Sequence, residues 1–199
     1  MNELKNTMKA VIMAERDALD AMMNCEWEEN ALTALRDCKG KIVFMGVGKS
    51  GHIGKKLAAT SASLGVPSIF VHATEAMHGD LGMLAREDVA VLISNSGTTK
   101  EVTQCVAPLR ALGVTTVAMT GRSDSALATA CDCKLVYPNL AEADALGLAP
   151  TVSSTMTLVL GDALACALSK AKGFTKDGFH AFHPNGALGE KLSKEKAQD

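Results

Sequence analysis

Two loops in this chain carry the residue types that hold an anion. The first is Gly46-Val47-Gly48-Lys49-Ser50-Gly51, in which glycines let backbone N–H groups approach a negative group while Ser50 adds a hydroxyl and Lys49 a positive charge. The second is Ser94-Asn95-Ser96-Gly97-Thr98-Thr99, which sets four hydroxyls and an amide beside backbone donors. One hydroxyl is enough to cap a helix start, so the excess points to a bound anion such as a phosphate. Near these loops in sequence stand groups that can move protons: Glu101, Glu142, His78 and His183. A carboxylate serves as a base, and neutral imidazole transfers protons near neutral pH. Each also has a plainer reading. Glu101 complements a helix dipole, Glu142 is a solvated loop carboxylate, and both histidines are loop residues in contact with water. His72, at the end of a β-prone run, is a candidate metal ligand, although one histidine does not make a metal site.

The first loop spells G-x-G-x-x-G, but it is not a dinucleotide fingerprint. The second predicted strand ends in His72 and not in the acidic residue that would take a ribose hydroxyl. The loop lacks the P-loop pattern as well.

The elements that must position these groups follow from hydrophobic spacing. Helical periodicity predicts helices over residues 3–24 and 28–38, and later over 51–64, 100–112, 155–172 and a short 177–181. Apolar β-prone runs predict strands at 41–45, 68–72, 89–94, 115–120 and 134–137. Strands that are nearly continuous in apolar residues and alternate with helices predict an α/β fold: a five-stranded parallel sheet in a three-layer αβα sandwich, flavodoxin-like in type. In such sheets ligands sit beyond the carboxyl ends of the strands, which is where both loops fall.

Composition narrows the function classes. With 199 residues, 47% of them apolar and 21% charged, the chain suits one folded domain. A net charge of −2 excludes a broad basic nucleic-acid surface, so any phosphate is bound locally. The six cysteines have no disulfide framework or zinc spacing and read as reduced thiols, which together with the lack of a signal peptide predicts a cytoplasmic protein. The most apolar stretch, 151–169, is broken by Ser, Thr, Gly and Asp162, and reads as a buried helix with no membrane role.

Five motifs in order carry a family resemblance. Residues 46–51 with His52-Ile53-Gly54 come first, then His78-Gly79-Asp80-Leu81-Gly82-Met83, then Ser94-Asn95-Ser96-Gly97. Leu146-Gly147-Leu148-Ala149-Pro150-Thr151 and His183-Pro184-Asn185-Gly186-Ala187-Leu188-Gly189 complete the set. Together they resemble the arabinose 5-phosphate isomerases of the sugar isomerase (SIS) family. The resemblance implies one SIS domain over 1–199, with N-terminal helices in 1–39 and a sugar-phosphate core in 40–192. It implies an aldose–ketose isomerase that interconverts ribulose 5-phosphate and arabinose 5-phosphate through an enediolate, supplying the octulosonate (Kdo) of lipopolysaccharide or capsule. By motif position, Lys49, Glu101, Glu142 and His183 match catalytic residues and His78 a substrate contact, with Ser50, Ser94, Asn95, Ser96, Thr98 and Thr99 around the phosphosugar. No cofactor is implied, and zinc at His72 would be incidental or inhibitory. A homotetramer is implied, with sites completed across subunit interfaces and the His183 loop crossing between them. Two departures stand out. Family members commonly continue into paired CBS modules, whereas this chain ends about ten residues after the last motif, and Asn185 stands where glycine is common. Another phosphosugar isomerase, or a non-catalytic sugar-phosphate sensor, are the competing readings.

Overall fold

Five short apolar runs become strands in the computed structural model, which describes residues 1–183. They are β1 Ile42–Gly46, β2 Ser68–His72, β3 Val89–Ile93, β4 Thr115–Thr120 and β5 Cys133–Val136. All pair in parallel, in the order β2-β1-β3-β4-β5. β1 and β3 are neighbours at the centre, and the connections leaving them run to opposite sides of the sheet. Their carboxyl ends therefore open a crevice at the point where the strand order reverses.

The two-residue period of a strand builds the layers on either side. Ile42, Phe44, Val91, Ile93, Val117 and Met119 join one core. Its helical side comes from α1 Asn2–Met22, α2 Glu29–Arg36, α3 Gly48–Ser63 and α8 Val152–Ala171. Val43, Met45, Ala90, Leu92 and Ala118 join the other core. It is covered by α4 Ala73–Ala76, α5 Lys100–Thr103, α6 Val106–Ala111 and α7 Ala126–Ala130. A further helix, α9 Lys176–Phe182, follows α8. The sandwich expected from the sequence is thus present. The motif residues from Pro184 to Gly189, with Asn185 among them, lie outside the described residues.

Most boundaries fall within two residues of expectation, and three helices differ by more. The helix expected over 100–112 is split into α5 and α6. Pro108 in α6 has no N–H for the carbonyl of Gln104, so the helical ladder breaks there. The helix after β1 starts at Gly48, three residues early, and draws Lys49 and Ser50 into its first turn. The long helix starts at Val152, also three residues early, because a side chain from outside, Glu142, satisfies its first donors. The short helices α4 and α7 and a 3-10 turn at Asp80–Met83 carry too few residues for periodicity to reveal them.

By length and composition α8 is apolar enough to cross a bilayer, so its scattered polar residues do not exclude that role. What defines it as a core helix is packing. Met156, Leu160, Leu164 and Leu168 are buried against the sheet side, and Gly161 lets α3 approach so closely that an added Cβ would lie 2.3 Å from Leu57 Cδ1. Asp88 staples the starts of the two central strands. Its carboxylate is 2% exposed and accepts from Lys41 N at 2.8 Å, Lys41 Nζ at 2.7 Å and Ala85 N at 2.8 Å.

Candidate active site

The loop after β3 is shaped from within. Ser94 is buried, its Oγ accepts the Gly97 N–H at 3.1 Å, and it shares a 2.8 Å hydrogen bond with Thr99 Oγ1. Gly97 turns the chain at φ +64°, and an added Cβ there would lie 2.0 Å from Ser125 Oγ, the hydroxyl that caps α7. The Gly97 carbonyl accepts the Leu127 N–H at 2.9 Å. The loop is therefore braced against α7, and Ser96, Thr98 and Thr99 are held at the carboxyl end of β3. Asn95 O accepts from Gly121 N at 3.0 Å and from Thr120 Oγ1 at 3.1 Å, while Asn95 Oδ1 is buried without a hydrogen-bond partner among the described residues.

Across the crevice the first turn of α3 presents Lys49 and Ser50. Lys49 forms no ion pair among the described residues, so its charge is available to a ligand. The third wall is the segment that leads into α8. Glu142 Oε2 accepts from Thr151 N at 2.8 Å, Thr151 Oγ1 at 3.1 Å and Ser153 N at 3.2 Å, and Oε1 accepts from Ser153 Oγ. Burial is the largest single influence on this carboxyl and would raise its pKa. The hydrogen bonds from Ser153 and Thr151 together outweigh it and hold the group below the usual carboxylate range. Asp144 folds the adjoining turn by accepting from Leu146 N, Leu148 N and Ala149 N.

These walls enclose a cavity of about 370 Å³. Lys49, Ser50, Asn95, Ser96, Thr99 and Glu142, all singled out by sequence, line it. Leu148 and Pro150 form part of its outer wall, while Ser153, Ser154 and Thr157 of α8 complete the lining. Hydroxyls, a helix N-terminus and an ammonium group can hold a phosphate, and a fixed carboxylate stands beside the remaining space.

Other predicted residues sit elsewhere. Ser94 supports the loop from below, and Thr98 hydrogen-bonds Ser96 Oγ at 3.0 Å without lining the cavity. Glu101, in the first turn of α5, and His78, beside the 3-10 turn, are exposed and do not line it either. His183 follows the last turn of α9, stacks on Phe179 with ring centroids 4.0 Å apart, and bonds the Phe179 carbonyl through Nδ1 at 2.9 Å. His72 lines a separate cavity of about 270 Å³ with His52, Lys55, Gly48 and Gly51. Its Nδ1 accepts the Thr74 N–H at 3.3 Å. Among the described residues no three His, Cys, Asp or Glu side chains come together as a ligand set, so His72 lacks the partners that a zinc site needs. Sequence reasoning missed Ser153 and Thr157. Their signal was a run of hydroxyls at the start of a mainly apolar helix, of which Ser153 and Thr157, four residues apart, fall on one face.

Comparison with known proteins places this geometry. Residues 34–167 match the SIS domain family. Arabinose 5-phosphate isomerase KdsD of Escherichia coli K12 is 51% identical over 187 residues, covering 92% of this chain and 57% of that protein. The Pseudomonas aeruginosa KdsD is 47% identical over 94% of this chain and 58% of its own length. The chain thus spans somewhat more than half the length of these curated relatives. A solved structure of E. coli CFT073 c3406 in complex with arabinose 5-phosphate superposes with a TM-score of 0.88 at 47% identity, covering 92% of this chain and 98% of that one.

Proposed function

The chain belongs to the SIS domain family, and from that premise we propose that it is an aldose–ketose isomerase interconverting D-ribulose 5-phosphate and D-arabinose 5-phosphate. The observation that carries this reading is the cavity at the ends of β1 and β3. There Lys49, without an ion pair among the described residues, and the hydroxyls of Ser50, Ser96 and Thr99 face a fixed Glu142. The c3406 complex with arabinose 5-phosphate, which has the same fold at 47% identity, supports the choice of phosphosugar.

The phosphate sits between the serine-rich loop and the first turn of α3, with Ser50, Ser96 and Thr99 donating and Ser94 keeping the loop in shape. A base moves a proton between C1 and C2, and Lys49 neutralises the charge that develops on the enediolate oxygen. Glu101, Glu142 and His183 share proton transfer and ring opening, and His78 contacts the sugar. The route needs no metal or other cofactor, and zinc at His72 would be incidental.

Glu101, His78 and His183 do not line the cavity of one chain, and in this reading a neighbouring subunit of a homotetramer brings them to the substrate. In support, α1 exposes an apolar stripe of Leu4, Met8 and Ile12, and Leu146 and Leu148 project at the cavity rim. The cysteines are all free, which suits a reducing cytoplasm. In this reading the product feeds octulosonate (Kdo) synthesis for lipopolysaccharide or capsule.

The test is incubation of the protein with ribulose 5-phosphate and detection of arabinose 5-phosphate by NMR. Formation of that product supports the reading. Saturable binding without turnover would replace it with a sugar-phosphate sensor.

A further inference from the structure

The Glu142 carboxylate is crowded on one oxygen and open on the other. Oε2 takes three donors, from Thr151 N, Thr151 Oγ1 and Ser153 N, which fills its acceptor capacity. Oε1 has one donor among the described residues, Ser153 Oγ, and so keeps one acceptor site. Ser153 itself has little freedom. It is buried in the first turn of α8, and its carbonyl accepts from Thr157 Oγ1 at 2.8 Å. Thr157 Oγ1 lies in turn 3.1 Å from the buried Tyr137 hydroxyl. Tyr137, Thr157, Ser153 and Glu142 thus form one continuous hydrogen-bonded line from the core to the cavity wall.

We propose that Ser153 is a positioning residue: its hydroxyl clamps Glu142 Oε1 so that a single lone pair of that oxygen is presented to the bound sugar. This rests on the isomerase reading and adds to it a group outside the family motifs quoted above. A glutamate has three rotatable bonds, and among the described residues it is these donors that fix the Glu142 carboxylate. Thr151 and the backbone fix Oε2; Ser153 Oγ decides where Oε1 points. The same bond favours the ionised carboxylate against the opposing effect of burial, which keeps the open lone pair free of a proton.

The test compares Ser153→Ala and Ser153→Thr with the wild type, using the intact protein. The phosphate loop is untouched, so in Ser153→Ala KM stays within about twofold while kcat falls about tenfold, the pattern of an interaction used in the transition state. Loss of one hydrogen bond to a charged group moves the Glu142 titration, followed by the ¹³C shift of its carboxyl, up by about one pH unit. The acid limb of the kcat profile moves with it, and Ser153→Thr, which restores a hydroxyl, returns both toward wild type. A folded Ser153→Ala protein whose Glu142 titration is unmoved overturns the proposal. So does a moved titration with an unchanged acid limb in an active enzyme. If the wild type turns over no phosphosugar, the isomerase reading fails and the ¹³C titration still decides whether Ser153 clamps Glu142. If alanine prevents folding, Ser153→Cys, a much weaker donor of similar shape, carries the same readouts.

Discussion

Replacing Gly97 with alanine adds one methyl group at the point where the phosphate loop leans on α7. Two costs arise. The residue holds φ +64°, a left-handed conformation that costs an L-residue with a Cβ about 1–2 kcal/mol. The new Cβ would also lie 2.0 Å from Ser125 Oγ and 2.4 Å from Ser125 Cβ, and such overpacking costs a further ~1–3 kcal/mol. The sum, ~2–5 kcal/mol, is a large fraction of the ~5–15 kcal/mol stability of a typical domain. At about 3 °C per kcal/mol for a chain of this size, Tm falls by roughly 6–15 °C in a thermal melt. The loop relieves the clash by moving away from α7, which carries Ser96 and Thr99 out of register, so KM for the phosphosugar rises about tenfold or more. A second substitution separates the two costs. Ser125→Gly removes both clashing atoms, and a glycine cap costs only a few tenths of a kcal/mol. In the Gly97→Ala/Ser125→Gly protein the steric part is recovered, giving a coupling of about 1–3 kcal/mol in a double-mutant cycle. A Gly97→Ala protein that melts within about 2 °C of wild type and keeps its KM would refute the claim that α7 braces this loop. Equal Tm values for the single and double variants would refute the assignment of the clash to Ser125.

The other predictions follow from single contacts. Asp88→Asn weakens the staple between β1 and β3 and lowers stability at pH 7 by about 2 kcal/mol in urea titrations. Burial alone would raise the Asp88 carboxyl, but the bonds from Lys41 and Ala85 hold it below its ordinary value. Its stabilisation is therefore complete above the unfolded pKa near about 4 and is lost as pH falls through the lower folded pKa, so the asparagine variant shows a flatter loss of stability in that acid window. Gly161→Ala pushes against Leu57 where α3 crosses α8 and costs about 1–3 kcal/mol, and Leu57→Val in the same chain recovers part of it. Glu101→Gln lowers kcat about a hundredfold or more with Tm unchanged, because Glu101 is an exposed side chain at the start of a four-residue helix. Glu142→Gln also lowers kcat, but it lowers Tm too, since an amide cannot accept the four donors now satisfied by the carboxylate. Near-normal turnover in both glutamine variants would sink the isomerase mechanism.

What the sequence made legible, and what it did not, divides along the range of the physical forces involved. Strands β2 and β4 were readable to the residue because apolar β-prone runs are bounded by Gly, Pro and turn residues within the same short window. The two anion loops were readable for a similar reason: their chemistry is concentrated in six consecutive positions. The third wall of the cavity was not, because it is made by a contact nine to eleven residues long in sequence, from Glu142 to Thr151 and Ser153, that no periodicity encodes. That contact explains both the early start of α8 and the state of Glu142. A helix that begins without its own capping side chain borrows a carboxylate, and the carboxylate is held ionised by the donors it satisfies. Glu142 is therefore a fold residue and a cavity residue at once, whereas Glu101, His78 and His183 are not among the described residues that line the cavity. In the oligomeric reading proposed above, a second subunit completes a site whose proton-transfer groups are split in this way, so dilution below the oligomer's dissociation range should abolish turnover while each chain retains its far-UV CD spectrum. Full specific activity in a protein shown by sedimentation to be monomeric would place those three residues outside the reaction altogether.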